Sequence, residues 1–346
     1  MKTKFIENNI NRKIENWLNS IKNKKVKTYI EDKIIVTGGC ITSMLLNENV
    51  NDFDVYFKDK KSAKLVAQYY CDVFNKRNSS LKNKIGYDIR AWVLDGEDVE
   101  QWKQGKKDLI DFAKGYSINF SYEDKDKVSG MIVNTHPDRI KIMINSDGIV
   151  SDKDVENNDE HCEINMRKYL DMINDGDDIP EDFIDKNSKE YIPLFFSTNA
   201  ITLSNKIQIT LRFYGSSEDI HENFDFIHCT NYWDSLTKEL HLNKKALESI
   251  LTKQLIYNGS KYPICSLIRT RKFIKREWNI NAGQYLKMAY QISKLDLNDI
   301  NVLEDQLVGV DSLYFIAFIE TLKEGIKNND YIDQSYVTSV IDKIFN

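Results

Sequence analysis

The chain has 346 residues, 41% hydrophobic and 29% charged, with 48 Lys and Arg against 53 Asp and Glu for a formal net charge of −5. That length allows two domains with sizeable cores, and the composition excludes a disordered chain. The acidic balance excludes bulk attraction to nucleic acid, so any nucleic-acid site has to be a local basic patch.

No apolar run reaches the length of a membrane span, and Met1-Lys2-Thr3-Lys4-Phe5 lacks the apolar core of a secretory signal. The five cysteines, Cys40, Cys71, Cys162, Cys229 and Cys265, include no Cys-x-x-Cys pair. That argues against a disulfide framework or zinc knuckle and fits a reducing cytoplasm. Only four prolines, with abundant Lys, Asn and Ile, point to an AT-rich coding sequence, as in a phage or a low-GC bacterium. The expected location is the cytoplasm, that of the host for a phage product.

From Lys4 to Lys25 the apolar residues Phe5, Ile6, Ile10, Ile14, Trp17, Leu18 and Ile21 recur at helical steps and predict one helix. Its stripe reads as core packing with nothing catalytic in it. Ile34-Ile35-Val36 is a short buried strand ending at Gly38-Gly39. A short helix follows, with Ile41, Met44 and Leu45 on its apolar side. Asp52 to Phe57 is a second strand, and Ser62 to Asn75 an amphipathic helix. Further on, Ile89, Ala91 and Val93 alternate as in a strand, Asp98 to Ala113 fits a helix, and Met131-Ile132-Val133 and Arg139 to Ile144 read as strands. Two acidic stretches come next, Ser151 to Glu163 and Asp171 to Asp185. Asp175-Gly176-Asp177-Asp178 lacks the glutamate spacing of a calcium loop and reads as a solvated acidic loop.

Asn199 to Leu203 and Ile207 to Phe213 predict a hairpin across Ser204-Asn205-Lys206. Phe224 to Cys229 reads as another strand, with Asp225 as an acid inside an apolar run. Tyr232 and Trp233 fit either core or a base-stacking surface, with core favoured. His228 and Cys229 lack partners at metal-ligand spacing and read as packing. Asn243 caps a helix to Leu255, Gly259 breaks it, and Pro263 opens a longer helix carrying Arg269, Arg271, Lys272, Lys275 and Arg276. The remainder is helical: Tyr285 to Leu295, Leu303 to Leu307, Ser312 to Ile326 and Ser335 to Phe345.

One stretch carries chemistry. Val36-Thr37-Gly38-Gly39 leads into a helix start, where outward N–H groups and the dipole favour an anion. Asp52 and Asp54 share one face of the next strand, and two neighbouring carboxylates repel unless a divalent cation lies between them. A metal site beside a phosphate cradle predicts phosphoryl or nucleotidyl transfer. Asp225 is the candidate third ligand, against the alternative of a structural Asp capping a turn.

In this order the elements resemble the head and neck of the tRNA nucleotidyltransferase (CCA-adding) and poly(A) polymerase superfamily, within the DNA polymerase β-like nucleotidyltransferase fold. The resemblance rests on Gly38-Gly39, then, with twelve residues between, Asp52-Phe53-Asp54, then Asp225-Phe226, Ala246-Leu247-Glu248 through Gly259, and Pro263, Arg269, Arg271 and Phe273. Thr42-Ser43 replaces the family's Arg-Asp pair, and Gln208 stands where a glutamate is common. The template signature of CCA-adding enzymes has no counterpart.

The resemblance implies an α/β (α+β) nucleotidyltransferase head with a small mixed sheet, over 1–77 and 198–235. A large insertion, 78–197, and a helical neck and C-terminal domain, 236–346, complete the chain. It implies an enzyme: an Mg²⁺-dependent (or Mn²⁺-dependent) nucleotidyltransferase moving NMP from an NTP such as ATP to an RNA 3′ end, tRNA by resemblance, in tRNA processing. Asp52, Asp54 and Asp225 would be the catalytic metal ligands. Gly38, Gly39, Ser43, Arg269, Arg271 and Lys272 would bind the nucleotide, and no membrane is implied. Two rivals stay open: nucleotidyl transfer to a protein or small molecule, and a non-catalytic nucleotide- or RNA-binding module or phage interaction protein.

Overall fold

The computed structural model describes residues 2–78, 89–104, 137–146, 191–196, 199–307, 313–327 and 334–345. They form two compact units. The first holds the described residues up to 220 together with 232–241; the second holds 221–231 and the described residues from 242 onward.

Among the described residues the strands all belong to the first unit: β1 (Ile34–Thr37), β2 (Phe53–Phe57), β3 (Ile89–Asp95), β4 (Ile140–Ser146), β5 (Pro193–Phe196), β6 (Ala200–Leu203), β7 (Ile207–Tyr214), β8 (Tyr232–Asp234) and β9 (Glu239–His241). Seven make one sheet in the order β5-β6-β7-β2-β1-β8-β9, and β3 pairs with β4 separately. Only the β2–β7 pairing is parallel, so the sheet is mixed. β1 is a continuous apolar run and is buried at all four positions, as a strand covered on both faces should be. β2 alternates instead. Phe53, Val55 and Phe57 enter the core, and the period of two sends Asp54 to the opposite face. The predicted β6–β7 hairpin forms, with Asn205 and Lys206 both left-handed at φ 62° and 59°.

Helices α1 (Lys2–Ser20), α2 (Lys24–Ile30), α3 (Gly39–Leu46), α4 (Lys60–Asn78) and α5 (Gly96–Lys103) complete this unit, with the one-turn α6 (Ser217–His221) at its edge. α1 contributes Ile6, Ile10, Ile14 and Trp17 to the core, and α4 contributes Ala63, Val66, Ala67 and Tyr70. Trp17 Nε1 donates to the Tyr70 hydroxyl at 2.7 Å, which satisfies two polar groups that burial would otherwise strand. The single helix expected over Lys4 to Lys25 is two helices. The Asn23 side chain accepts from the N–H groups of Lys25 and Val26, and this N-cap starts α2 afresh.

Ala91, Val93, Ile140 and Ile142 of the β3–β4 pair join the same core. The Asn75 amide holds Ala91, accepting from its N–H and donating to its carbonyl, both at 2.8 Å. β5 falls within the stretch that the sequence reads as an insertion, yet it is the edge of the main sheet. Met131-Ile132-Val133, both acidic stretches and Asp175 to Asp178 lie outside the described residues.

The second unit is helical: α7 (Lys244–Thr252), α8 (Pro263–Lys275), α9 (Ala282–Ile292), α10 (Ile300–Leu307), α11 (Leu313–Lys327) and α12 (Gln334–Phe345). Asn243 caps α7, accepting from Lys245 N–H at 2.9 Å. Pro263 opens α8, where its missing N–H costs nothing. Phe318, Ile319, Leu322 and Val340 pack together, with Ile264 and Ile268 of α8 against them. The strand expected at Phe224 to Cys229 is not formed. Phe226 makes an isolated bridge to Tyr257, and Ile227–Cys229 is a 3-10 turn. Thr230 closes that turn, donating to the Ile227 carbonyl from its N–H at 3.0 Å and its hydroxyl at 2.7 Å. Such local bonds compete with a strand ladder. Among the described residues no helix is long and apolar enough to cross a membrane.

Candidate functional site

The end of β1 lies beside the start of β2, because the antiparallel register pairs Thr37 with Asp54. α3 begins at the turn between them, with Gly38 at φ 90° and ψ −151°, a conformation only glycine holds without strain. A Cβ on Gly38 would stand 2.6 Å from Asp54 Oδ2. Glycine is therefore required here by backbone shape and by the carboxylate. A Cβ on Gly39 would meet nothing within 4 Å, so the second glycine is sterically replaceable.

Asp52 immediately precedes β2, and Asp54 is also in register with Gln208 on the parallel β7. Both carboxylates act on the buried Cys40. Burial first, then Asp54 and Asp52, push its thiol well above the ordinary range. The Cys40 thiol is thus neutral, with Sγ donating to the Thr37 carbonyl at 3.6 Å. Two acids within electrostatic reach of one buried atom make a focused negative corner at the glycine turn. Ser43, a candidate phosphate donor by sequence, sits inside α3 and is only 4% exposed.

Mg²⁺ and Mn²⁺ take oxygen ligands, and Mg²⁺ is commonly held by one or two protein carboxylates plus phosphate and water. Asp52 and Asp54 fit that donor set. No group of three or more His, Cys, Asp or Glu among the described residues is arranged to hold a metal ion. The corner brings together two carboxylates, Asp52 and Asp54.

Asp225 belongs to the second unit and is committed there. Its Oδ2 accepts from Arg269 Nη1 at 2.5 Å, its Oδ1 from the Ser260 hydroxyl at 3.4 Å, and its carbonyl from Asn258 N–H at 2.8 Å. The carboxylate side chain is 7% exposed, a burial that requires such partners. The sequence reading made Asp225 a metal ligand and Arg269 a phosphate contact; the structure bonds them to each other. Arg271 is exposed and Lys272 half-buried on the same α8. His228 is boxed by Phe226, Phe273 and Trp278, and burial, with Arg276 adding to it, pushes its pKa down to about 3. Trp233 is core, and Tyr232 stacks on His241 at 4.5 Å.

The sequence reading missed one feature of the first unit. The apolar stripe of α1 is core, and its polar side lines a cleft of about 810 Å³. The signal was there in Asn9, Arg12, Lys13, Asn16 and Asn19, which recur at helical steps opposite the core face.

Comparison with known proteins gives a different relationship from the one the motifs imply. The model of the family described as Gabija anti-defense 2 family protein matches residues 8–253. A protein named Gabija anti-defense 2, from Bacillus phage SPbetaL7, is 24% identical over 162 residues. That alignment covers 46% of this chain and 40% of the phage protein, so the chain spans less than half of that relative's length. No solved structure matches. The match overturns the assignment to the tRNA nucleotidyltransferase and poly(A) polymerase superfamily. It takes in Gly38, Asp52, Asp54 and Asp225 but stops short of α8, whose Pro263, Arg269 and Phe273 made that resemblance look specific. With more than half of its length matched by that family model, the chain belongs to the Gabija anti-defense 2 family.

Proposed function

We propose that this chain is an anti-defense protein of phage type, acting in the host cytoplasm against the Gabija system by binding one of its components. The observation that carries this reading is the family match over residues 8–253. The phage origin of the named relative agrees with it. The test is plating efficiency. Bacteria carrying the Gabija system, with and without this chain expressed, are infected with a phage that the system restricts. Restored plaque formation, with one Gabija component retained on the tagged chain, supports the reading. Unchanged restriction with the chain well expressed removes it.

The Gly38 corner favours a second reading, in which binding is followed by nucleotidyl transfer onto that component. Asp52 and Asp54 would hold Mg²⁺ or Mn²⁺ with the phosphates of an NTP, and the ion would offset the charge on those phosphates. Gly38 and Gly39 leave the turn free of side chains, so backbone N–H groups at the start of α3 can face phosphate oxygens. An acceptor hydroxyl oxygen forms a bond to the α-phosphorus, the bond to pyrophosphate breaks, and the hydroxyl proton passes to solvent or to a carboxylate. Asp54→Asn separates the two readings. Protection that survives it is binding alone. Protection lost together with NTP-derived label on the Gabija component is transfer.

A further inference from the structure

The cleft along α1 has the chemistry of an anion site that nothing above uses. It lies on the face of β2 opposite Asp54, since Phe53 and not Asp54 lines it. Arg12 and Lys13 enter it from α1 and Asn205 from the left-handed hairpin turn. Lys206, next in that turn, donates from Nζ to the Val50 carbonyl at 2.9 Å, which fixes a third cation nearby. Lys13 Nζ stands 5.3 Å from the Phe53 ring centroid and 5.9 Å from that of Tyr191. Among the described residues no carboxylate pairs with Arg12 or Lys13. Burial first, then Lys206 and Arg12, push the Lys13 pKa down to about 8. The rings favour the ammonium, but a partly buried lysine beside two other cations is costly unless an anion joins it.

The size and lining narrow the ligand. A volume of about 810 Å³ falls in the range of small-molecule sites and would be underfilled by an inorganic ion. The amides of Asn9, Asn16 and Asn205 offer both donors and acceptors, which a nucleobase edge can use and an acyl chain cannot. Arg12 Nη2 already donates to Asn9 Oδ1 at 3.0 Å, which steadies the guanidinium for a bidentate contact. We propose that this cleft binds a nucleoside monophosphate, its phosphate held by Arg12 and Lys13 with Lys206 adding charge, and its base meeting the asparagine amides and the rings of Phe53 and Tyr191. The site uses none of the groups given a role at the Asp52–Asp54 corner and does not depend on the function proposed for that corner.

The test is calorimetric titration of the full chain with AMP, GMP, CMP, UMP and inorganic phosphate. At least one nucleotide is expected to bind ten times or more tighter than inorganic phosphate. Arg12→Gln and Lys13→Met should each weaken it about tenfold, with melting temperature confirming the fold; Arg12 is exposed, so its replacement leaves the core alone. Binding near pH 8 should also take up protons, read from its dependence on buffer ionisation, because a bound anion favours charged Lys13. That uptake should vanish in Lys13→Met. Three results would each overturn the proposal: no nucleotide binding at millimolar concentration, binding untouched by both substitutions, or inorganic phosphate binding as tightly as every nucleotide.

Discussion

The two units share one way of holding buried ionisable groups, and the first adds another. In the second, each is neutralised locally: Asp225 is bonded to Arg269, and His228 is held neutral in an aromatic box. In the first, the buried Asp95 is likewise paired, with Lys60 at 2.9 Å and Lys64 at 2.6 Å, but at two places like charges are gathered. Asp52 and Asp54 converge on Cys40 beside a bare glycine turn, and Lys13 lies among Arg12, Lys206 and two rings. Neutralised groups hold a fold together; like charges placed close together lower its stability. The contrast is between paired charges, found in both units, and gathered ones, found in the first, and it can be tested at four points.

The largest effect belongs to His228. Its folded pKa, about 3, lies below the unfolded value near 6.5, so the unfolded chain takes up the proton first. Stability of the second unit is therefore full above pH 6.5 and falls as pH drops from 6.5 toward 3, by up to roughly 4–5 kcal/mol. His228→Phe should flatten that acid limb in denaturant titrations followed by Trp278 fluorescence. An unchanged limb would show that His228 is not held neutral.

Next comes the glycine turn. Gly38→Ala forces a side chain into a glycine-only conformation and against Asp54 Oδ2, at a cost of about 3 kcal/mol, whereas Gly39→Ala should cost under about 1 kcal/mol. Pairing Gly38→Ala with Asp54→Gly in a double-mutant cycle should recover part of the loss. Equal costs at Gly38 and Gly39 would mean that the corner is not drawn tight around the carboxylate. Smaller is Arg269→Met, which leaves Asp225 buried beside only the Ser260 hydroxyl. Because the Arg269 side chain is 40% exposed, water shares the charge, and about 2 kcal/mol is expected rather than the full value of a buried pair.

These contrasts also explain what could be read from the residues alone. Period-two alternation in Phe53-Asp54-Val55 and the Gly38-Gly39 break located the corner, because strand pleat and glycine backbone freedom act over a few residues. The hairpin at Asn205-Lys206 was legible for the same reason. Asp225 looked like Asp54, an acid in an apolar run, and nothing local distinguishes them. The difference lies 44 residues further along, in Arg269. The kinship suggested by α8 failed similarly, since a proline-led helix with arginines also arises where a buried acid needs a cation. The cleft went unread because its cations come from α1 and from a turn that only the folded sheet brings near Phe53.

The smallest and most diagnostic effect is at Lys13. Its folded pKa near 8 lies below the unfolded value near 10.5, so between those values the folded chain holds fewer protons. Below pH 8 the charged lysine costs stability, and that cost fades as pH rises from 8 toward 10.5. Lys13→Met should therefore stabilise the first unit at pH 7, by about 1 kcal/mol after allowing for the water that still reaches the ammonium. The gain should shrink above pH 8. The same substitution should weaken nucleotide binding about tenfold and remove its proton uptake, since a site that awaits an anion trades stability for affinity. A Lys13→Met chain less stable at pH 7 would make the lysine structural, and the contrast between the units would then rest on the Asp52–Asp54 corner alone.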